Sequence, residues 1–431
     1  MRRRSIFLVW AALLVIPGHG HAQRMSTLQA FSAATDGANP LAGVISDSDG
    51  NLYGTTLQGG TGTCDFPYNG GGCGTVFELI PVTSSIEGRW EKKILYSFQG
   101  GSDGAYPQSP VVLDKLGNLY GTTYNGGGDG CVLAGCGTVF ELECSGDRWV
   151  EKVLYSFANV ATGAGPESGL ILDSSGNLYG TTVYGGNQLC DQEGPGCGTV
   201  FELKHSRSGW TETVLHSFDL TDGAYPLTGL TFDDGGNLYG TTIQGGNGMG
   251  VVFELKRSSG WDEDVLYNFG GGLNEGTPVG PLLLDKSGNL YGATDADGPY
   301  GTGSVFELSK AGSSWSLNFL YSFGGGSGGW FPVAGVIADR AGNLYGTTPD
   351  GGSGDCQYGC GVVYRLTRSE NWTQAILYSF SGGTDGLDPY GGLTMDGRGD
   401  LYGTTVAGGD LSCSSYEPIY PGCGVVYRIS H

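Results

Sequence analysis

Residues 226–269, PLTGLTFDDGGNLYGTTIQGGNGMGVVFELKRSSGWDEDVLYNF, hold one complete structural unit. Four strand signals follow one another in it. GLTFD is short and apolar, NLYGTT is aromatic and threonine-rich, VVFEL alternates, and DEDVLYNF closes the unit. Asp-Gly-Gly-Asn, a glycine-rich loop and Ser-Ser-Gly separate them, and each is turn chemistry. In other copies the first strand is apolar at nearly every position, as in Val111-Val112-Leu113, Leu170-Ile171-Leu172 and Leu282-Leu283-Leu284. Such a run predicts an innermost strand buried on both faces. The fourth strand carries charge and a leading tryptophan (Trp90, Trp149, Trp210, Trp261, Trp315, Trp372), which predicts an outer rim.

The core of this unit, GNLYGTT, recurs at 50–56, 117–123, 176–182, 236–242 and 342–348, with GNLYGAT at 288–294 and GDLYGTT at 399–405. Such periods indicate an array of supersecondary units rather than separate domains. Helical periodicity is absent, and 83 glycines disfavour long helices. Four antiparallel strands repeated radially make an all-β propeller. Closure fixes the blade number. The fourth-strand motif LYSF and its variants LHSF and LYNF occur six times, against seven copies of the other strands. The missing strand stands at the other end of the chain. LQAF at 28–31 is followed by DGANP at 36–40, just as LYSF at 95–98 is followed by DGAYP at 103–107. The N-terminal strand is therefore expected to complete the last blade and remove the free edge. One seven-bladed domain over residues 23–431 follows.

The GNLYGTT core, the GCGTVFEL segment and the LYSF-x-GG-x-DGAYP run together resemble the GloVer repeat, over roughly residues 28–429. The resemblance implies an exported protein and brings no established activity. The D-x-x-G-N-L-Y turn is more distantly similar to NHL-type and lactonase-like propellers.

Residues 1–22 have a basic start, a short apolar run and small residues Gly20 and Ala22, the layout of a cleaved secretory signal peptide. Its removal takes away Arg2, Arg3 and Arg4 and shifts the formal charge from −22 to −25. A surface this acidic repels phosphate backbones and anionic lipid, which argues against nucleic acid and membrane insertion. Ten cysteines fall into close pairs in equivalent loops: Cys64/Cys73, Cys131/Cys136, Cys190/Cys197, Cys356/Cys360 and Cys413/Cys423. In an exported chain, secreted or periplasmic, these read as local disulfides pinning loops. Cys144 is left over, as a free thiol or an intermolecular bridge on a protein otherwise expected to be monomeric.

Recurrent polar residues read first as scaffold. The Asp of Asp-x-x-Gly-Asn caps a turn in which Gly and Asn take positive φ. The Glu of FEL (Glu78, Glu141, Glu202, Glu254, Glu307) is expected to pair with nearby lysines on the sheet face. No metal is required, although Asp103, Asp222 and Asp385 in the linkers offer a weak Ca²⁺ possibility. The linkers and the loops between second and third strands should share one mouth of the central channel, where a glycan or an extracellular protein could bind. A single ligand needs asymmetry. Asp295, Asp297 and Tyr300 in the fifth blade's loop, Trp330 and Phe331 in the sixth linker, and Asp350 beside them are the ligand-binding candidates. Two readings stand: a binding scaffold, or a polysaccharide-active lyase or glycoside hydrolase.

Overall fold

The structure is a computed structural model that describes residues 23–430 except 33, 65–70, 83–88, 129–130, 132–134, 147, 160, 187–189, 191–195, 271–275, 297–299, 313, 370 and 414–420. The signal-peptide segment and Asp297 lie outside the described residues. Seven four-stranded antiparallel sheets form the blades of a propeller. In the fourth, Thr231–Phe232, Leu238–Thr241, Val251–Lys256 and Asp262–Asn268 run from channel to rim. The seventh combines Thr394–Met395, Leu401–Thr405 and Val425–Ser430 with the N-terminal strand Arg24–Ala30. The ring closes as the LQAF segment predicts.

Each letter of the repeated core has a physical task. In the first blade the Asp47 carboxylate accepts from the backbone N–H groups of Asp49 and Asn51, from the Asn51 side chain and from the Tyr53 hydroxyl. Gly50 takes φ +85°, but Asn51 and its equivalents do not share the left-handed conformation expected of them. The carboxylate already fixes the turn, so one glycine suffices. The second glycine has another role. A Cβ on Gly121 would stand 2.5 Å from the Phe140 ring, and one on Gly54 2.6 Å from Phe77, so the third strand's aromatic ring rests directly on bare backbone. The first threonine reaches the next blade, as when Thr55 donates to the Ser109 carbonyl and Thr404 to that of Ala42. The second closes the loop that follows, with Thr56 donating to the Gln58 carbonyl.

Two strand-level expectations change. The strand buried on both faces is the second, LYGTT, while the innermost strand is two half-exposed residues long in six blades. Its outward side packs on a neighbour and its inner side faces the channel. The FEL glutamates do not depend on lysine. Their carboxylates accept from tyrosine hydroxyls, Tyr53 to Glu78 at 3.1 Å and Tyr179 to Glu202 at 2.8 Å, whereas Lys152 comes only within 4.0 Å of Glu141.

The core is distributed over the seven seams. Seven apolar clusters each span two neighbouring blades. At each seam the Phe that ends the outer strand meets the third-strand ring of the next blade edge to face, Phe98 against Phe140 and Phe380 against Tyr427. Phe31, supplied by the N-terminal segment, does the same to Phe77 at 5.1 Å. The leucine of LYSF is the residue bulged out of the ladder, as at Leu266 between Tyr267 and Val265, and this coils each outer strand.

All five expected disulfides form, Cys64–Cys73, Cys131–Cys136, Cys190–Cys197, Cys356–Cys360 and Cys413–Cys423, each within one blade's loop. They pin their loops, and one sulfur of each also reaches the core. The second cysteine of every pair is buried: Cys73, Cys136, Cys197, Cys360 and Cys423 are at most 1% exposed. Each of them belongs to a seam cluster, Cys136 beside Phe157 and Leu170, Cys197 beside Phe218 and Leu230, and Cys423 beside Phe31 and Val44. These cysteines stand just before the third strand, where the chain enters the core, so their sulfurs pack as small apolar groups. They are frame residues and not part of a ligand-binding surface. Cys144 is exposed with a free thiol.

Candidate functional site

The linkers that enter each blade build the mouth. In five of them the residue before proline makes two backbone bonds. Tyr106 donates to the Cys73 carbonyl of the preceding blade and accepts from the Tyr124 N–H of its own, and Asp388 does the same with Cys360 and Val406. Those bonds hold Asn39, Tyr106, Tyr225 and Asp388 at positive φ. Phe331 shares the conformation although it makes only the donor bond, to the Thr302 carbonyl, because Pro349 has no N–H; the five angles lie between 54° and 66°. This conformation is strained for bulky residues and unusual before proline. The proline then packs on the glycine after the loop cysteine, with Pro107 Cδ against Gly74. The linker path is thus fixed by the frame, and the side chain at the strained position is left free to vary.

At blades five to seven that variation gathers aromatic rings and carboxyl groups. Trp330 stacks on Phe331 with centroids 5.1 Å apart and planes 16° from parallel. Tyr358 stands 6.1 Å from Trp330, and its carbonyl accepts the indole N–H at 3.0 Å. The backbone of Trp330 bridges that of Asp350. The equivalent of Trp330 is Ala38, Ala105, Ala164, Ala224 or Leu387 in other linkers. Tyr300, Tyr358 and Tyr390 are the large exposed aromatic side chains of the described residues, and all three belong to blades five to seven.

The carboxyls here are unusual. Neither the Asp350 nor the Asp388 carboxyl accepts a side-chain hydrogen bond among the described residues, although both residues are half-buried. Burial pushes Asp350 up to about 6. Burial, and then the nearby charge of Asp350, push Asp388 up to about 7. Two partly desolvated, mutually repelling carboxyls beside an aromatic stack can hold a proton near neutrality. Farther round the mouth, burial also lifts Glu167 to about 7. Tyr184 and Tyr225 meet edge to face at 6.0 Å. Both amide atoms of Gln58 are buried without a hydrogen-bond partner among the described residues.

Of the residues expected at the site, Trp330, Phe331 and Asp350 come together. Asp295 lies in the fifth blade's loop, its N–H donating to the Thr277 carbonyl, and Tyr300 is 67% exposed. Asp103, Asp222 and Asp385 sit apart, one at each of three seams, where they accept from Tyr96, His216 and Tyr378 as turn caps. No group of three potential metal-ligating side chains occurs among the described residues. Asp388 and Tyr358 are not singled out by the sequence. The signal for Asp388 is an Asp-Pro where other linkers carry Asn-Pro, Tyr-Pro, Gly-Pro, Thr-Pro or Phe-Pro.

Fold and site together define a disulfide-pinned, seven-bladed propeller with one asymmetric mouth. The chain belongs to the Gloeobacter/Verrucomicrobia repeat family, whose profile matches residues 19–249 and 232–431. No curated protein matches the sequence. Among solved structures it is similar to a fungal alcohol oxidase in complex with copper (TM-score 0.55, 11% identity, 95% of this chain and 76% of that one). A putative 6-phosphogluconolactonase from Bacteroides uniformis aligns with TM-score 0.51 and 14% identity over 80% and 86% of the two chains. An ulvan lyase aligns with TM-score 0.51 and 11% identity over 90% of each. At these identities the likeness is one of fold. The five disulfides belong to an oxidising compartment outside the cytoplasm, and no helix among the described residues is long and apolar enough to cross a membrane.

Proposed function

We propose that this is an exported, monomeric propeller that binds a glycan at the mouth of blades five to seven. The observation that carries the reading is the Trp330–Phe331 stack with Tyr358 beside it, next to two carboxyls that have no side-chain donor of their own. Flat aromatic faces take up the apolar face of a sugar ring, and free carboxyls accept its hydroxyl protons. Export rests on residues 1–22 and the disulfides. Screening the mature protein on a glycan array, beside Trp330→Ala and Asp388→Asn, tests the proposal. Binding to an oligosaccharide that both variants lose supports it. Binding that both retain, or capture of protein ligands only, would contradict it.

A second reading has its own support. Asp350 and Asp388, raised to about 6 and about 7, are poised as an acid–base pair for cleavage of a polysaccharide by hydrolysis or elimination. Reducing ends or unsaturated uronate formed from the bound glycan, and abolished by Asp350→Asn with binding retained, would convert the binding site into an active site.

A further inference from the structure

A cavity of about 530 Å³ opens on the opposite side of the ring, between blades seven and one. Its walls are the two Asp-x-x-Gly turns at Asp47–Gly50 and Asp396–Arg398, the segment from Arg89 to Trp90, and Tyr402 with Arg428. Trp90 lies edge to face on Tyr402 at 6.3 Å, a contact the neighbouring seams repeat as Trp149 on Tyr53 and Trp210 on Tyr120. The apolar side of the cleft is therefore standard for this ring. Its charge is not.

Three arginines face this cleft in a chain that has only 21 basic residues against 43 acidic ones. The turn position of Arg398 holds Asp49, Leu116, Ser175, Gly235, Ser287 or Ala341 in the other blades. The position of Arg428 is glutamate in the first five, where the carboxylate receives a tyrosine hydroxyl. Of the three acids of the cleft two are occupied, and the third, Asp49, is exposed. Asp47 accepts four internal hydrogen bonds, and Asp396 accepts from the Asp400, Arg398 and Tyr402 donors. The cations keep spare capacity. Arg89 has no ion-pair partner among the described residues. The Arg428 Nε atom is buried without a hydrogen bond, its nearest acid being Asp400 at 3.9 Å. Arg398 spends two of its five N–H donors on Asp396 while 76% of its side chain stays exposed.

We propose that this seam cleft is a second ligand site, and that it takes a hexuronate, with the carboxylate held by Arg398, Arg428 and Arg89 and the sugar ring lying against Trp90. Guanidinium forks match a carboxylate in a bidentate manner. The volume lies in the range of small-molecule pockets, and one side is aromatic. The site is independent of the mouth, so neither proposal stands on the other.

Calorimetric titration with D-glucuronate, D-glucose and inorganic phosphate tests it on the whole mature protein. Glucuronate should bind and glucose should not. Arg398→Ser, which copies the turn of the third blade, should weaken binding about tenfold, the equivalent of one lost charge-assisted contact. The double variant Asp400→Asn/Arg428→Glu restores the Asn and Glu of the first five blades and so keeps a native pairing. It should abolish binding without loss of thermal stability. Trp330→Ala at the mouth should leave the titration unchanged. No heat from glucuronate, equal binding by the double variant, or tighter binding of phosphate than of glucuronate would each overturn the assignment.

Discussion

The second strand and the linker that leads into each blade belong to the same sevenfold frame, yet they vary in opposite ways. LYGTT is buried from end to end in blade after blade, and its glycine, tyrosine and threonines each have a partner in a fixed place. The linker keeps both backbone bonds in five of seven blades, and its residue before proline is in turn Asn39, Tyr106, Gly165, Tyr225, Thr277, Phe331 and Asp388. Where side chains carry the packing, they are uniform. Where backbone alone carries it, the side chain is released for other use. The linker mouth is therefore a place where the ring is free to become asymmetric.

That contrast is broken most severely from the frame side. Phe31→Ala removes a fully buried ring from the seam that the N-terminal strand closes, and should cost about 3–5 kcal/mol, read as a large fall in melting temperature. Gly121→Ala forces a methyl against Phe140 and should cost about 1–3 kcal/mol. Asp388→Asn, in a linker, replaces a desolvated carboxyl by a neutral group and should not lower the melting temperature while removing glycan binding. A linker substitution that destabilised as much as Gly121→Ala would show that the mouth is frame too.

The pH dependence separates the same two regions. Burial raises Glu151, Glu212 and Glu263 at the outer seams to about 7, together with Glu167 and Asp388 at the mouth. A carboxyl whose folded pKa lies above its unfolded value stabilises fully below the unfolded value, near 4, and loses that contribution as pH rises through about 7. The turn caps Asp173, Asp339 and Asp396 have the opposite sign. Despite burial, which raises them, hydrogen bonds from their turns hold them low, so their contribution is lost as pH falls toward their folded values. Melting temperature should therefore peak near pH 5 and decline toward pH 8 (about the window between the two sets). Glu151→Gln and Glu263→Gln should flatten the alkaline limb, and an unchanged limb would show that the seam carboxyls do not cause it. The smallest effect concerns calcium. Asp103, Asp222 and Asp385 already accept internal donors, so EDTA should leave the melting temperature unchanged.

Seven blades, their order, the closing strand and the five disulfides are legible because repetition multiplies weak local signals. The LQAF segment is recognisable only against six copies of its equivalent. Cysteine spacing reports the pairing of Cys131 with Cys136 or Cys190 with Cys197, but not that the second sulfur of each pair lies in a seam between blades. The proposed site is legible by exception, through Trp330-Phe331 and Asp350. Asp388 escapes because its importance depends on Asp350 across the seam, and no local pattern reports a charge 38 positions away in the chain. The innermost strand differs from expectation for a related reason: an apolar run states that residues are shielded, not which of two neighbouring strands carries the shielding. Arg428 escapes because its meaning lies in a contrast with five glutamates in other blades.

The proposal that a uniform frame takes its ligand where the linkers diverge, at blades five to seven, has a distinct signature in hydrogen–deuterium exchange. The mature protein is compared with and without a bound oligosaccharide. Protection should be confined to residues 330–331, 350, 358 and 387–390. Equal protection of the equivalent segments at 105–106, 124–125 and 164–167, or none at blades five to seven, would refute the asymmetric mouth.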